Sequence, residues 1–174
     1  MRFKWVVEPP ATVEAVADAQ RAIPLVPASE ADCRRRLVDR TDTIDSRDDA
    51  TEWLTFLRAL AVLDKTPSGY RRKRADLTAD ELADRLVDGI YGARELQSAL
   101  KRAAEPLSID DLDGVVDLPT WERHHHTDAD AVRRQRLQRL AEWFVLCGVA
   151  ERTSEGYGIP ESGLVGTPGD GRRD

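Results

Sequence analysis

Cysteine is scarce in this sequence, and its spacing excludes some classes of protein. The chain has two cysteines, Cys33 and Cys147, which lie far apart and outside any CxxC pair. That spacing supplies neither a disulfide framework nor a set of zinc ligands. We therefore predict two reduced thiols, with Cys147 buried.

Histidine is equally rare, and all three copies (His124, His125 and His126) stand together. Adjacent side chains on a regular element point in different directions, so three consecutive histidines form no preset chelate. The run predicts an exposed loop or a contact with a partner, with no metal and no cofactor. A loop-made metal site that includes Asp128 and Asp130 is the alternative.

Long apolar runs and catalytic motifs are also missing. The longest nearly apolar run, WFVLCGVA over 143–150, is too short to span a bilayer, and MRFKWVVEPP has no apolar core of a signal peptide. We therefore expect a cytoplasmic protein with no membrane association. There is no Gly-rich phosphate loop, nucleophile elbow or HExxH motif. The sequence therefore predicts that the protein is not an enzyme.

Lysine is the rarest charged residue, since the chain has 4 lysines among its 26 basic residues. Acids outnumber bases 32 to 26, and the formal net charge is −6. An acidic, lysine-poor surface stays hydrated in concentrated salt, so the composition predicts a halophilic protein, with a GC-rich genome as the alternative explanation. The net charge argues against nucleic-acid binding, but weakly, because at ~1 M salt the Debye length is only about 3 Å.

Helix starts are marked by the pattern Ser/Thr-x-x-Asp/Glu. In such a box the hydroxyl accepts a hydrogen bond from a free backbone N–H of the first turn, and the acid suits the positive helix end. It occurs at Ser29–Asp32, Ser46–Asp49, Thr78–Glu81, Ser108–Asp111 and Thr127–Asp130. With the apolar periodicity, these boxes predict helices over 12–22, 29–40, 46–61, 78–103 (broken at Gly89 or Gly92), 108–116 and 127–147.

Two similar nonapeptides each follow a predicted helix. They are VLDKTPSGY over 62–70 and VAERTSEGY over 149–157, 87 residues later. Pro67 suits the second position of a type I turn, and Gly69 suits a left-handed residue before a returning strand. We predict hairpins over 62–74 and 149–159, so the order of three helices and a hairpin occurs twice.

The runs FLRALAVLDKTPSGYRR and LAEWFVLCGVAERTSEGYGI both resemble the end of a winged-helix domain. The whole chain resembles tandem winged-helix proteins of halophilic archaea. The resemblance implies a mainly α fold with small β-hairpins (α+β) and two winged-helix domains in tandem, 1–75 and 76–160. The segment 161–174 is Gly/Pro-rich and polar, which predicts a disordered tail. The resemblance also implies that a third helix enters the DNA major groove while the wing touches the backbone or the minor groove.

The helix predicted over 46–61 is a poor candidate for reading DNA. Its inward stripe comprises Ala50, Trp53, Leu54, Leu57 and Leu60. The opposite face would carry Asp48, Glu52, Thr55 and Ala59, and two carboxylates would repel phosphates. We therefore expect the first domain to serve a protein partner or a homodimer.

The helix predicted over 127–147 is the better candidate, with an inward stripe of Leu137, Leu140, Ala141 and Phe144. Its outer face shows Gln135 and Gln138, flanked by Arg134 and Arg139. Glutamine can pair with adenine, and arginine with guanine or phosphate. The alternative is a solvated face whose arginines pair with acids, which Glu142 one turn on favours.

The wings add further basic residues, which are Arg71, Arg72, Lys73 and Arg74 after the first turn and Arg152 in the second wing. These side chains could grip phosphates in any sequence context. The sequence therefore predicts a regulator of double-stranded DNA that reads through its second domain. A tandem winged-helix adaptor that binds proteins and not nucleic acid is the alternative.

Overall fold

The computed structural model describes residues 6–115 and 129–161. Predictions that concern the remaining residues, including the histidine run, the helix start at Thr127 and the tail, lie outside the described residues. Within them the chain forms seven helices: α1 (Val13–Ala22), α2 (Glu30–Arg40), α3 (Arg47–Ala59), α4 (Ala79–Gly89), α5 (Ala93–Arg102), α6 (Ile109–Val115) and α7 (Ala129–Leu146).

The predicted helix starts are confirmed wherever the structure describes them. The hydroxyls of Ser29, Ser46 and Thr78 each accept a hydrogen bond from the backbone N–H three residues on. At Ser108 the box is reciprocal, because Asp111 Oδ2 accepts from the Ser108 backbone N–H at 2.9 Å. The long predicted helix is broken between α4 and α5, where Gly92 has a φ of 85°.

Each of two antiparallel hairpins follows a long helix. The first pairs β1 (Leu63–Thr66) with β2 (Gly69–Arg72), and the second pairs β3 (Glu151–Arg152) with β4 (Tyr157–Gly158). A third backbone segment joins each hairpin through a single bridge, at Ala28–Tyr70 and at Leu107–Tyr157. The predicted fold class, mainly helical with small hairpins in two matching copies, is confirmed.

The glycine that precedes the tyrosine in each hairpin is required for steric reasons. Gly69 has a φ of 124°, and a Cβ there would lie 1.9 Å from the Ala28 carbonyl oxygen. Gly156 repeats this arrangement with a φ of 149° and a Cβ position 2.2 Å from the Leu107 carbonyl oxygen. Only glycine lets each hairpin approach the preceding segment so closely. The single bridge between each hairpin and the segment before it depends on that approach.

The two copies match element by element. Segment 6–10, α1, α2, α3 and the first hairpin form the first repeat; α4, α5, α6, α7 and the second hairpin form the second. Helices α1 and α5 both have 10 residues and precede the bridging segment of their repeat. The opening segment is extended in the first repeat and helical (α4) in the second.

The repeats pack through equivalent positions of α3 and α7. Phe56 and Trp143 lie 87 residues apart in the chain, and their ring centroids are 4.8 Å apart. Trp53 also contacts Trp143, with the centroids 6.3 Å apart. Contact between equivalent residues is the pattern of a two-fold interface, formed here inside one chain. The buried side chains of both repeats belong to one continuous hydrophobic cluster.

The opening segment of each repeat also packs against the other repeat. The Val7 carbonyl accepts a hydrogen bond from Trp143 Nε1 at 2.8 Å, so segment 6–10 lies on α7. In the reverse direction α4 lies on α3, because a Cβ on Gly89 would be 2.0 Å from the Ala59 carbonyl oxygen. Arg85 of α4 donates to the Leu60 carbonyl at 3.1 Å, at the end of α3. The two repeats are therefore interlocked.

This packing corrects the prediction for the outer face of α3. The inward stripe is buried as predicted, but Ala59 is only 5% exposed because α4 covers it. Phe56 is fully buried against the second repeat, and Glu52 is half-buried. The exposed residues of α3 therefore include Arg47, Asp48 and Arg58, while Thr51, Glu52 and Thr55 are half-buried, so Ala59 is the predicted outer residue that the structure buries.

Candidate nucleic-acid interface

The outer side of α7 carries an exposed pair of glutamines. Leu137, Leu140 and Phe144 fix the helix in the core, which turns Gln135 and Gln138 to solvent on neighbouring turns. Among the described residues neither side-chain amide has a hydrogen-bond partner. Both amides can therefore donate to and accept from a ligand without first losing a bond within the protein.

Arginines flank this pair, and each already contacts the protein. Arg134 forms an ion pair with Asp110 of α6, with side chains 51% and 71% exposed. Arg139 is half-buried, and its Nη1 donates to the Val6 carbonyl at 3.2 Å. Arg134 thus lies beside the glutamines at the surface, whereas Arg139 lies at the edge where segment 6–10 crosses α7.

The other arginines of α7 point away from the glutamines. Arg133 pairs with Asp113 of α6 in a mostly buried contact. Arg136 donates to the Tyr91 carbonyl at 3.0 Å and lies 5.7 Å from the centre of the Tyr91 ring. Both side chains therefore position α7 within the fold rather than facing a groove ligand.

The second wing is tied to α7 by a small polar network. The Tyr157 hydroxyl donates to Glu142 Oε1 at 2.6 Å, and Arg152 Nη1 lies 3.0 Å from the same oxygen. Burial and then the bond to Glu142 raise the pKa of Tyr157 to about 12, because both disfavour the phenolate. Arg152 is 62% exposed, so its guanidinium remains accessible at the surface.

The basic residues predicted in the first wing differ in their partners and in their exposure. Arg71 and Lys73 both pair with Asp64, at 3.4 and 3.1 Å, and the Lys73 hydrogen bond is the main cause of the lowered pKa of Asp64. Arg72 is half-buried, and its Nε is enclosed without a hydrogen-bond partner. Arg74 is exposed. Arg71, Lys73 and Arg74 are therefore the members of this cluster that present charge to solvent.

A cleft of about 380 Å³ joins the second-repeat features. It lies between segment 6–10, the outer side of α7 and the second wing, and its lining residues are Glu8, Pro9, Gln135, Gln138, Arg139, Glu142 and Arg152. Two acids face two arginines in it, so the lining is polar and nearly neutral. Such a surface suits hydrogen-bond recognition better than tight binding of a bare anion.

Metal ligands and reactive thiols are not part of this surface. Within 6–115 and 129–161, no three His, Cys, Asp or Glu side chains are grouped so that they could hold a metal ion. Cys33 and Cys147 are buried free thiols, as their spacing predicted. Burial raises the pKa of Cys147 to about 12, which keeps the thiol protonated and unreactive.

A comparison with protein-family models identifies the family to which this chain belongs. The family model for the halobacterial double winged helix domain matches residues 1–162. The chain belongs to this family. The tandem winged-helix fold and the haloarchaeal resemblance predicted from the two helix–hairpin ends are therefore confirmed. The halobacterial family also agrees with the salt adaptation that the composition indicates.

For this double winged helix protein, neither a curated protein nor a solved structure matches the chain. In the part of the chain that the structure describes, every helix is too short or too polar to cross a membrane. In winged-helix domains generally, the third helix and the wing are the elements that meet DNA. The corresponding elements of this chain are α3 and α7, each with the hairpin that follows it.

Sequence reasoning overlooked two kinds of residue near the site. Trp143 lies between Phe56 and segment 6–10, but its place on α7 reads as one more apolar residue. Arg47 was not predicted, because it lies inside the helix-start box formed by Ser46 and Asp49, which accounts for the residues around it. Its position is 87 residues before Arg134, so aligning the two helices would have revealed the match.

Proposed function

We propose that the protein is a non-catalytic, DNA-binding regulator in which α7 of the second repeat supplies the recognition helix. The observation that carries the proposal is the exposed pair Gln135 and Gln138, which has no partner among the described residues, on the outer side of a winged-helix third helix. Glutamine amides pair bidentately with adenine in the major groove. Arg134 beside them would contact guanine or phosphate.

The ion pairs around this face are compatible with DNA binding. Those of Arg134 and Arg152 involve arginine side chains that are 51% and 62% exposed. Exposed pairs of this kind contribute only ~0–1 kcal/mol. A DNA phosphate can therefore replace Asp110, which is 71% exposed, at small cost, whereas Glu142 is only 25% exposed and keeps its hydrogen bond from Tyr157. Arg139 would act mainly by holding segment 6–10 against α7.

The first wing would add contacts that do not depend on sequence. Arg71, Lys73 and Arg74 face solvent on and after β2, where a winged-helix domain touches the DNA backbone. Asp64, the shared partner of Arg71 and Lys73, is itself half-exposed, so these two pairs can open. Arg72 would instead stabilise the strand, since its backbone N–H donates to the Pro24 carbonyl at 2.8 Å.

The experiment is fluorescence anisotropy of a random-sequence DNA duplex titrated with the protein across a KCl series. We expect binding whose affinity falls as KCl rises, because bound cations release counterions from DNA. Arg134→Glu should weaken binding strongly. Arg94→Glu is the matched control, because its pair with Asp88 has similar exposures of 55% and 75%. An absence of binding down to low salt, in a sample that circular dichroism shows to be folded, would overturn the proposal.

A protein–protein adaptor is the second candidate function, and a different observation favours it. Leu25 and Val26, in the loop between α1 and α2, are 42% and 69% exposed although both are apolar. The net charge of −6 also suits a protein partner better than DNA. Absent DNA binding together with a folded protein would favour this reading.

A further inference from the structure

The first repeat has an exposed helix surface that the helical spacing alone does not reveal. Because α4 covers Ala59 and the second repeat covers Phe56, the open side of α3 begins at Arg47 and continues along Thr51 and Thr55. Arg47 is exposed, and among the described residues its side chain has no hydrogen-bond or ion-pair partner.

Three arginines from two helices surround one cleft on this side. The cleft has a volume of about 370 Å³ and is lined by Ala31, Asp32, Arg34, Arg35 and Arg47. Arg34 Nη1 donates to Thr51 Oγ1 of α3 at 3.3 Å, which fixes this guanidinium between the helices. Arg35 is 68% exposed on the outer side of α2. The small side chain of Ala31 leaves the space between them open.

The acids near the cleft do not cancel this charge. Asp32 pairs with Arg36 at 2.7 Å as well as with Arg35, so Arg36 can neutralise it when Arg35 turns elsewhere. Glu30 is 4.0 Å from Arg34, at the limit of an ion pair. Asp48 is exposed next to Arg47 but does not line the cleft. Three guanidinium groups therefore face one cleft whose only lining acid has another partner.

We propose that this arginine cleft, formed by Arg34, Arg35 and Arg47, binds backbone phosphates of duplex DNA, so that the helices of the first repeat contact DNA as well as its wing. The inference rests on the proposed function. Guanidinium groups bind phosphate oxygens bidentately, and their planar fork is largely preorganised. The cleft also lies where α2 and α3 meet; these are the two helices of a helix-turn-helix unit, and the first helix of such a unit crosses the DNA backbone. The first repeat would then supply affinity, and the glutamines of α7 the discrimination.

The test is the slope of log Kobs against log[KCl] for binding to random-sequence duplex DNA, measured on the full chain by anisotropy. Each phosphate contact that is lost should reduce the slope by roughly 0.9. We expect the double variant Arg35→Ala/Arg47→Ala to lower it by roughly 2 relative to the unmodified protein. The charge-preserving Arg35→Lys/Arg47→Lys should keep most of the slope, and Arg94→Ala should leave it unchanged.

The outcomes separate this inference from the proposed function. If the unmodified protein binds DNA and Arg134→Glu weakens it, but the double alanine variant keeps the full slope, the arginine cleft is not a DNA contact while the proposed function stands. If the unmodified protein does not bind, both fail. Circular dichroism and urea unfolding of each variant show whether a lost contact reflects a lost fold, and both arginines are exposed enough for the fold to persist.

Discussion

Helices α3 and α7 hold equivalent places in the two repeats, but different neighbours cover them. Helix α4 lies on α3 at Ala59, whereas the extended segment through Val6 and Val7 lies on α7. As a result Arg47 of α3 has no partner among the described residues, while its counterpart Arg134 is paired with Asp110. The same fold therefore presents two outer faces with different chemistry. On α3 the face carries an arginine with no partner among the described residues, and on α7 it carries a pair of glutamines.

The repeats agree where side chains shape the backbone. The Thr66 hydroxyl donates to the Gly69 carbonyl at 3.0 Å, and Thr153 does the same to Gly156 at 3.1 Å. Each glycine is followed by a buried tyrosine. The threonine, glycine and tyrosine of the wings are therefore the same in both copies, whereas outward positions such as Thr51 and Gln138 differ. The framework and the ligand-facing surface can therefore be tested separately.

The largest effect is expected at the contact between the repeats. Trp143→Ala removes a fully buried side chain and should destabilise the protein by about 3–5 kcal/mol. Phe56→Ala, at the equivalent position, should cost somewhat less, because Trp143 also donates a hydrogen bond to the Val7 carbonyl. The measurement is urea unfolding at constant KCl, followed by far-UV circular dichroism.

Trp143→Phe is the control for this prediction. It keeps an aromatic ring near Phe56 but loses the N–H donor and part of the buried indole, so about 1–3 kcal/mol should be lost. All three proteins should unfold in one transition, since the core is continuous across the repeats. Two separate transitions, with only the later one moved by Trp143→Ala, would show that the repeats are independent.

The secondary structure was predictable because its signals are local. A hydroxyl and an acid three residues apart specify a helix start through bonds within one turn, and four such boxes start helices in the described residues. Gly69 was recognised as a turn residue, and Gly156 lies at the matching place in the second predicted hairpin. Their second role, close approach to Ala28 and Leu107, depends on a segment tens of residues earlier and was not visible.

The surface of α3 was less predictable, because a helical pattern shows which residues are apolar but not which elements cover them. Ala59 is small and lies opposite the main stripe, so the pattern placed it outside. The choice of Arg134, Gln135 and Gln138 as DNA-contacting residues stays a prediction. What sequence could not supply was their partners, since Asp110 belongs to another helix.

A smaller effect is expected at the tyrosines that close the two wings. Tyr157 donates to Glu142, so Tyr157→Phe should cost about 1 kcal/mol at neutral pH. The pKa of Tyr157 rises from 10.0 to about 12 on folding, so the folded state favours the protonated phenol. The stabilising effect is therefore complete below pH 10 and is lost as the pH rises toward about 12. Urea unfolding at several alkaline pH values measures it.

Tyr70, the equivalent tyrosine of the first wing, provides the control for this prediction. Tyr70→Phe retains Tyr157 and should keep the steep loss of stability above pH 10, whereas Tyr157→Phe should flatten it. The two variants have to be compared with each other because burial raises the pKa of Cys147 as well. That thiol contributes to the pH dependence of stability in the same direction in both variants. Equal slopes in the two variants would mean that Tyr157 does not carry the pH dependence.

The smallest effect is expected where α3 and α7 end. Ala61 and Gly148 follow these helices at equivalent positions and both have positive φ, 56° and 72°. A left-handed alanine costs about 1–2 kcal/mol, while glycine loses about 0.4–1 kcal/mol more in chain entropy on folding. Ala61→Gly should therefore stabilise the protein by up to about 1 kcal/mol. Gly148→Ala should destabilise it by a similar amount, because the space around its Cβ position is open and only the backbone angle opposes the change. Changes of the same sign in urea unfolding would show that surroundings, and not the shared backbone angle, govern these two helix ends.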